Sequence, residues 1–455
     1  MYAHSLKPRS RLLSPVFIFF FSLFVFFQLI RWCRPVPGAT DRIFLEEESE
    51  ESCRHHDGLS DVFVVFKTGA TESLDQVPTH LATTLRCVPH YAIYSDYDEV
   101  IDGVHVQDAL DEVRADLKDT HPDFEYYQRL QDGGRSAFSD EENAQWAATQ
   151  STIAGRDTPG WRLDKWKFLP AAEKALRQGA ATGANWYVFY EGDSYIFWRN
   201  VLDWIANLDP AQPHYLGNPM IIGDVAFAHG GSGFVLSRTA LEMVVVEYRR
   251  QNLEFYDAFT ASHWAGDCVL GKALADAGVP LLYARPNLHG DHPTELGFLG
   301  SVSDPTSQDW CYNIASYHHM APSDIVQMSM FERQWNKGNR TLLRHGDVFT
   351  NWVLPHITSR RDAWDNMSED IVEYPEGTTI TMRDCYKVCL GQPDCMQYSL
   401  SGQSTCRTSK MMRLGRRRSA VEGEETMASG WMTHRVNAFV EVMDEYCGQD
   451  GWVLP

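Results

Sequence analysis

Apolar positions along the chain follow three successive patterns. From Val16 to Phe27 they are almost continuous, with only Ser22 interrupting, and Leu29 and Ile30 carry the run to Arg31. A helix of that length, at about 1.5 Å rise per residue, just crosses a thin bilayer. This predicts a signal-anchor transmembrane helix over 15–31 behind a short cytosolic tail, 1–14, that contains Lys7, Arg9 and Arg11. Removal as a signal peptide would require a small-residue cleavage site. The flank Arg31-Trp32-Cys33-Arg34-Pro35 offers none. An acidic, proline-containing stretch, 32–59, then reads as a solvated stem.

The second pattern is an alternation of short apolar runs with amphipathic stretches. The predicted strands are 61–67 (DVFVVFK), 90–95 (HYAIYS), 186–190 (WYVFY), 214–220, 233–236 and 281–284. Helices are predicted over 77–88, 164–177, 197–208, 237–255 and 264–277. The polar region from 96 to about 160 reads as an insertion or a mobile loop. Strands interleaved with helices imply an α/β domain over 60–372, with a mainly parallel sheet covered by helices on both faces. Ligands of such sheets sit beyond the carboxyl ends of the strands. A third pattern begins near 373, where cysteines become dense. It predicts a small disulfide-rich α+β domain over 373–455.

Composition narrows the function classes. Hydrophobic residues at 44% and charged residues at 22% describe a globular chain. A formal net charge of -21 excludes the basic footprint that nucleic-acid binding needs. Cys385, Cys389, Cys395 and Cys406 are spaced C-x3-C and C-x5-C, which is not zinc-ribbon spacing. Disulfides, and so an oxidising compartment, are the simpler account. The sequons at Asn339 and Asn366 agree with lumenal exposure. Nine cysteines lie well beyond the apolar segment, an odd number, and Cys447 is expected to be the one left unpaired.

Three short strings carry candidate chemistry. Glu191-Gly192-Asp193-Ser194-Tyr195 follows the WYVFY strand. Two carboxylates separated by one residue at a strand end suit a hard divalent cation, and an ordinary acidic turn is the plain alternative. His229-Gly230-Gly231-Ser232-Gly233 opens a further strand, where glycines permit a ligand close to the backbone or simply a tight turn. Gly266-Asp267-Cys268 places an acid at a helix start, either as a general base or as a surface side chain, and Cys268 could be stapled to Cys311.

Taken in order, WYVFYEGDSY, GGSGFVLSR, GDCVLG and Tyr317-His318-His319 resemble the Fringe-like β1,3-glycosyltransferases, which include the core 1 galactosyltransferases and the Fringe N-acetylglucosaminyltransferases. The resemblance runs over about 61–330. It implies a Rossmann-like GT-A fold that inverts the anomeric centre of a UDP-sugar with Mn2+. By position, Asp193 and His318 would hold the metal, with His319 as the alternative to His318, and Asp267 would be the base. Thr68, Asp96, Lys165, Glu191, Gly230 and Gly231 would contact the donor. Two departures stand out: the acidic triplet is Glu-Gly-Asp where the family has Asp-Asp-Asp, and the pair before Cys268 is Gly-Asp where the family has Asp-Asp. The tail, with DCYKVC, PDC, STC and SGW, resembles a PAN/Apple module, which implies pairing of Cys385 with Cys406 and of Cys389 with Cys395.

The expected protein is therefore a type II membrane enzyme of the Golgi or ER. It would move a hexose or N-acetylhexosamine from a UDP-sugar to a glycan or glycoprotein acceptor, in β1,3 linkage. A catalytically inactive glycan-binding protein of the secretory pathway is the competing class. A glycosidase using Glu191 and Asp193 as its carboxylate pair is disfavoured, because acids two residues apart on a turn seldom flank one bond at the spacing hydrolysis needs.

Overall fold

The computed structural model describes residues 58–149, 158–251, 253–300, 309–338, 341–418, 426–447 and 451–455, together with Cys53. The expected tail, signal anchor and nearly all of the stem, and the sequon at Asn339, lie outside these residues. Among the described residues no helix is long and apolar enough to cross a membrane.

The organising element is β1 (Val62–Lys67), whose six residues are all buried. A helix, α1 (Ser73–Ala82), follows it and leads to β2 (Tyr91–Ser95), β3 (Glu99–Ile101) and β4 (Val104–Asp108). The long helix α2 (Pro159–Thr182) then packs against the sheet. After it come β5 (Trp186–Glu191), β6 (Tyr195–Ile196), β7 (Tyr215–Gly217), β8 (Pro219–Ile222), β9 (Val225–Ala228) and β10 (Phe234–Ser237). Helix α3 (Gly266–Asp276) and β11 (Leu281–Tyr283) complete the unit. The main sheet has eight strands in the order β11-β7-β10-β5-β1-β2-β4-β3. Its pairs are mostly parallel, with β10 antiparallel to both β5 and β7, and β3 antiparallel to β4.

Side chains of a strand alternate between faces, and the two cores divide accordingly. Phe63, Val65, Tyr187 and Phe189 join α2 and α3 in one cluster. Val62, Val64, Phe66, Trp186, Val188 and Tyr190 join Val201 and Trp204 in the other. Burial on both faces is why β1 and β5 read as unbroken apolar runs and not as alternating ones.

Several expectations need correcting. The region 96–160 is not a bare insertion: it supplies β3 and β4, and helices Ala115–Thr120, Glu125–Gly133 and Asp140–Thr149. Phe124, Tyr127 and Leu130 there bury against Leu163 and Trp166 of α2. The helix expected over 77–88 runs over Ser73–Ala82 instead, with Pro78 inside it. Asn366 is fully buried, and its amide donates to Tyr398 O at 3.2 Å and Gly430 O at 3.3 Å, so in the folded chain it cannot accept a glycan.

Beyond the main sheet, Arg361–Asp362, Met427–Trp431, Gln397–Ser401, Thr405–Ser409 and Asp370–Val372 form a five-stranded antiparallel sheet in that spatial order. Helix Met382–Gly391 lies on it, capped by reciprocal bonds between Thr381 and Asp384. The disulfides Cys385–Cys406 and Cys389–Cys395 form as expected. The other pairing differs: Cys311 is bonded to Cys447, and Cys268 is a buried free thiol. A third core explains why. Tyr317, Phe298 and Trp310 pack with Met412, Trp431 and Phe439, so the C-terminal sheet and helix share one apolar interior with the main unit. The chain end is fastened too: Trp452 stacks on Trp204 at 5.5 Å between ring centroids, and Asn287 binds both Gly451 O and Val453 N.

The Cys311–Cys447 bond closes a sequence separation of 136 residues. Replacing both cysteines by serine is expected to lower stability by about 3–5 kcal/mol through added freedom of the unfolded chain, read as a lower guanidinium midpoint.

Candidate active site

Where β1 and β5 end side by side, in parallel register, Lys67 stands opposite Glu191. Lys67 Nζ lies 2.5 Å from Asp164 Oδ1 on α2 and 3.1 Å from Glu191 Oε1, with its ammonium 4.4 Å from the centroid of the Phe168 ring. Burial opposes the charge, but the two carboxylates hold the Lys67 pKa above its usual value. Glu191 is driven the other way. Burial raises its pKa, and Lys67 only partly offsets that. The strands thus end in a charged cluster at the floor of a cavity of about 370 Å³.

The turn after β5 is fixed from both sides. His80, buried in α1, faces the Gly192 carbonyl through Nε2 at 2.9 Å. A Cβ on residue 192 would fall 1.8 Å from Gln76 Oε1, so glycine lets α1 close on the turn. Ser194 Oγ donates to Gly231 O at 2.6 Å, tying the acidic turn to the glycine turn, and Ser316 Oγ donates to Ser232 O at 2.5 Å. Met320 N donates to Asp193 O at 2.8 Å. Three sequence motifs are in this way one hydrogen-bonded body.

Asp193, His318 and His319 each offer a ligand atom, all within 4.8 Å of one another. His318 Nε2 is 3.1 Å from Asp193 Oδ1, and His319 Nδ1 is 3.8 Å from Asp193 Oδ2. Burial would raise the Asp193 pKa, yet the two imidazoles hold it well below the usual carboxylate range. His318 Nδ1 is 3.3 Å from Gly290 O, which can only accept, so that nitrogen carries a proton and Nε2 is the one turned to Asp193. Imidazole ligands fixed through their other nitrogen are the usual form in metal sites. His319 sits in the left-handed backbone region, at φ 57°, a strained state for a residue with a Cβ. That turn brings it beside Asp193. Imidazole and carboxylate together suit a divalent first-row metal such as Mn2+.

Asp267 opens α3 on the same cavity. Its Oδ2 accepts from Gly230 N at 2.9 Å and its Oδ1 from Cys268 N at 2.9 Å. Burial, with the nearby Glu191 charge, pushes its pKa up to about 7, against the pull of the two N–H groups. A carboxylate so poised can take a proton near neutral pH. Gly230 runs between Glu191 and Asp267, since a Cβ there would lie 2.6 Å from Glu191 Oε1 and 3.5 Å from Asp267 Oδ2.

Of the residues expected at the donor, Thr68, Glu191 and Gly231 line the main cavity. Gly230 lies just behind it, engaged with Asp267. Asp96 is buried beneath the β1 loop, where it accepts from Ala70 N at 2.7 Å and pairs with Lys167. Lys165 does not reach the cavity. Its ammonium pairs with Asp123 at 2.8 Å on the far side of α2. The lysines that do reach it are Lys67 and Lys167, the latter donating to Thr68 O at 3.0 Å. Helical spacing contains this signal: 164, 167 and 168 share a face that 165 leaves. Glu72, Gln76, His80 and the Trp161–Trp264 pair also shape the site, and only the folding of α1 and α2 over it makes them visible.

Residues 135–336 match the family model described as Fringe-like. The Fringe-like family, to which this segment is similar, is a glycosyltransferase family. It contains Asp193, Asp267, His318 and His319, while β1 and Thr68 precede it.

A Cβ on Gly231 would lie 2.2 to 2.7 Å from the His318 ring. Gly231→Ala is therefore expected to push His318 off Asp193 and to weaken any divalent cation held by this triad about tenfold or more, as isothermal titration with divalent metals would show.

Proposed function

We propose that the protein is an inverting, divalent-metal-dependent glycosyltransferase of GT-A type that transfers a hexose or N-acetylhexosamine from a UDP-sugar to a glycan or glycoprotein acceptor, in β1,3 linkage. The observation that carries this is the placement of Asp193, His318 and His319 in one cavity with Asp267, at the carboxyl ends of β1 and β5 in a chain with a Fringe-like segment. Asp193 and His318 would hold Mn2+, which when bound stabilises negative charge on the departing diphosphate. Thr68 and Gly231 line the wall along which the donor would lie. Asp267 takes the proton of the acceptor hydroxyl as its oxygen forms a bond to the anomeric carbon. The bond from that carbon to the diphosphate oxygen breaks, and its electron pair leaves with UDP. Entry and departure on opposite faces invert the centre. Positioning the acceptor beside the base and fixing the charged groups in advance supplies most of the acceleration.

The same proposal extends to location. The apolar segment 15–31 anchors the chain as a type II protein of the Golgi or ER, and the disulfide-stapled C-terminal part, read as PAN/Apple-like, presents the acceptor. Its two close disulfides support that reading.

Purified full-length protein, given a panel of UDP-sugars with Mn2+ or EDTA, is expected to release UDP from one donor class in an EDTA-sensitive way. Asp193→Ala should abolish both turnover and Mn2+-dependent UDP binding. Asp267→Asn should cut turnover by about 10²–10⁴-fold and leave UDP binding intact. Because the Asp267 pKa stands at about 7, kcat/KM should rise with pH up to about 7 and level off above it. In Asp267→Asn that limb should vanish. Retention of glycan binding with no UDP released from any donor would favour the inactive binding protein instead.

A further inference from the structure

His229, just before the glycine turn, plays no part in the chemistry above, yet it lines the cavity. Its backbone N–H donates to Asn218 O at 2.8 Å, and its ring Nδ1 lies 2.8 Å from Ser232 Oγ. That same hydroxyl oxygen accepts from Asn218 Nδ2 at 3.0 Å. Ser232 has one proton and two lone pairs, one of them taken by the amide; among the described residues that proton meets no acceptor other than His229 Nδ1, so it goes to the imidazole. Nδ1 is thus the acceptor, and the ring proton sits on Nε2. Among the described residues no acceptor meets that Nε2. Gly290 backs the relay, since a Cβ there would lie 2.9 Å from Asn218 Nδ2 and 3.2 Å from Ser232 Oγ. The Gly290 carbonyl also orients His318.

The position of the ring suggests its target. Its centroid is 5.1 Å from that of His318, at the metal end of the site, and the next residue, Gly230, donates to Asp267, at the base end. In a transfer reaction the diphosphate lies at the first and the acceptor hydroxyl at the second, so the sugar in transit lies between them. We propose that His229 Nε2–H donates a hydrogen bond to one ring hydroxyl of the transferred sugar and thereby sets which UDP-sugar is used, with Asn218 and Ser232 as positioning residues that fix the tautomer. The inference rests on the glycosyltransferase reading and deepens it.

The test uses the full-length enzyme with Mn2+, its preferred UDP-hexose and the 2-, 3-, 4- and 6-deoxy analogues of that donor. In the wild type one analogue should be turned over at least ~10²-fold less efficiently, because a site built around a hydroxyl rejects the sugar that lacks it. In His229→Ala and His229→Phe the parent donor should fall to the level of that one analogue, so their ratio approaches one. The other analogues should keep their ratios to the parent, and UDP affinity should stay within about twofold, well under one decade. Asn218→Ala should reduce the same discrimination in part. A parallel loss on every donor, or a drop in UDP affinity, would overturn the proposal. So would 15N chemical shifts placing the His229 proton on Nδ1, whatever the turnover. If wild-type enzyme releases UDP from no donor, the glycosyltransferase reading itself fails and this one with it.

Discussion

Crowded negative charge is the constraint on which the site depends. Glu72, Asp164, Glu191, Asp193 and Asp267 all line one cavity, with Lys67 and Lys167 as its lysines among the described residues. Burying carboxylates is costly unless they are paired. Lys67, reached from the end of the central strand, holds Asp164 and Glu191 together, and His318 and His319 hold Asp193. What is left unbalanced is expressed in protonation: Glu72 and Asp267 are both pushed up to about 7, chiefly by burial. The environment therefore separates one carboxyl held ionised, Asp193, from one poised to exchange a proton, Asp267. Divergent pKa values of this kind are how one pocket supports two roles.

That charge balance needs close approach of backbone to side chain, and glycine provides it at a few positions. Gly192 admits Gln76, Gly230 separates Glu191 from Asp267, Gly231 faces His318, and Gly290 supports both histidine anchors. Each is a place where one methyl group would press on a side chain of the site: Gln76, Glu191, His318, or Asn218 with Ser232. The tight packing of Ser194, Ser316 and Met320 against the same turns gives those contacts little freedom to yield. The C-terminal sheet contributes from behind. Tyr317, next to His318, sits in the core that Trp431 and Phe439 help to fill, so the late histidines are braced by residues far along the chain.

The sheet strands were legible because burial on both faces writes a continuous apolar run, as in DVFVVFK and WYVFY. The acidic turn, the glycine turn and Asp267 were legible because each lies within a few residues and follows a strand or opens a helix. The close disulfides Cys385–Cys406 and Cys389–Cys395 were legible as part of a local motif. Local spacing could not provide the Cys311–Cys447 pair, which depends on the last helix docking across the main unit, nor the burial of Asn366. Residues 96–160 read as loop because their helices are short and polar outside, with their apolar side chains spread over several elements that bury only together against α2.

By itself, then, the sequence determined the buried strands of the main sheet, that they build an α/β unit, and which residue types stand at the strand ends, because these follow from periodicity and chain neighbours. Only the tertiary structure decided that Lys167 and not Lys165 faces the cavity, that Lys67 meets Glu191, that Asp193 meets the histidines, and that His229 lines the site with its Nδ1 held by Ser232. These are contacts between side chains far apart along the chain, set by sheet order and register, and no local pattern encodes them.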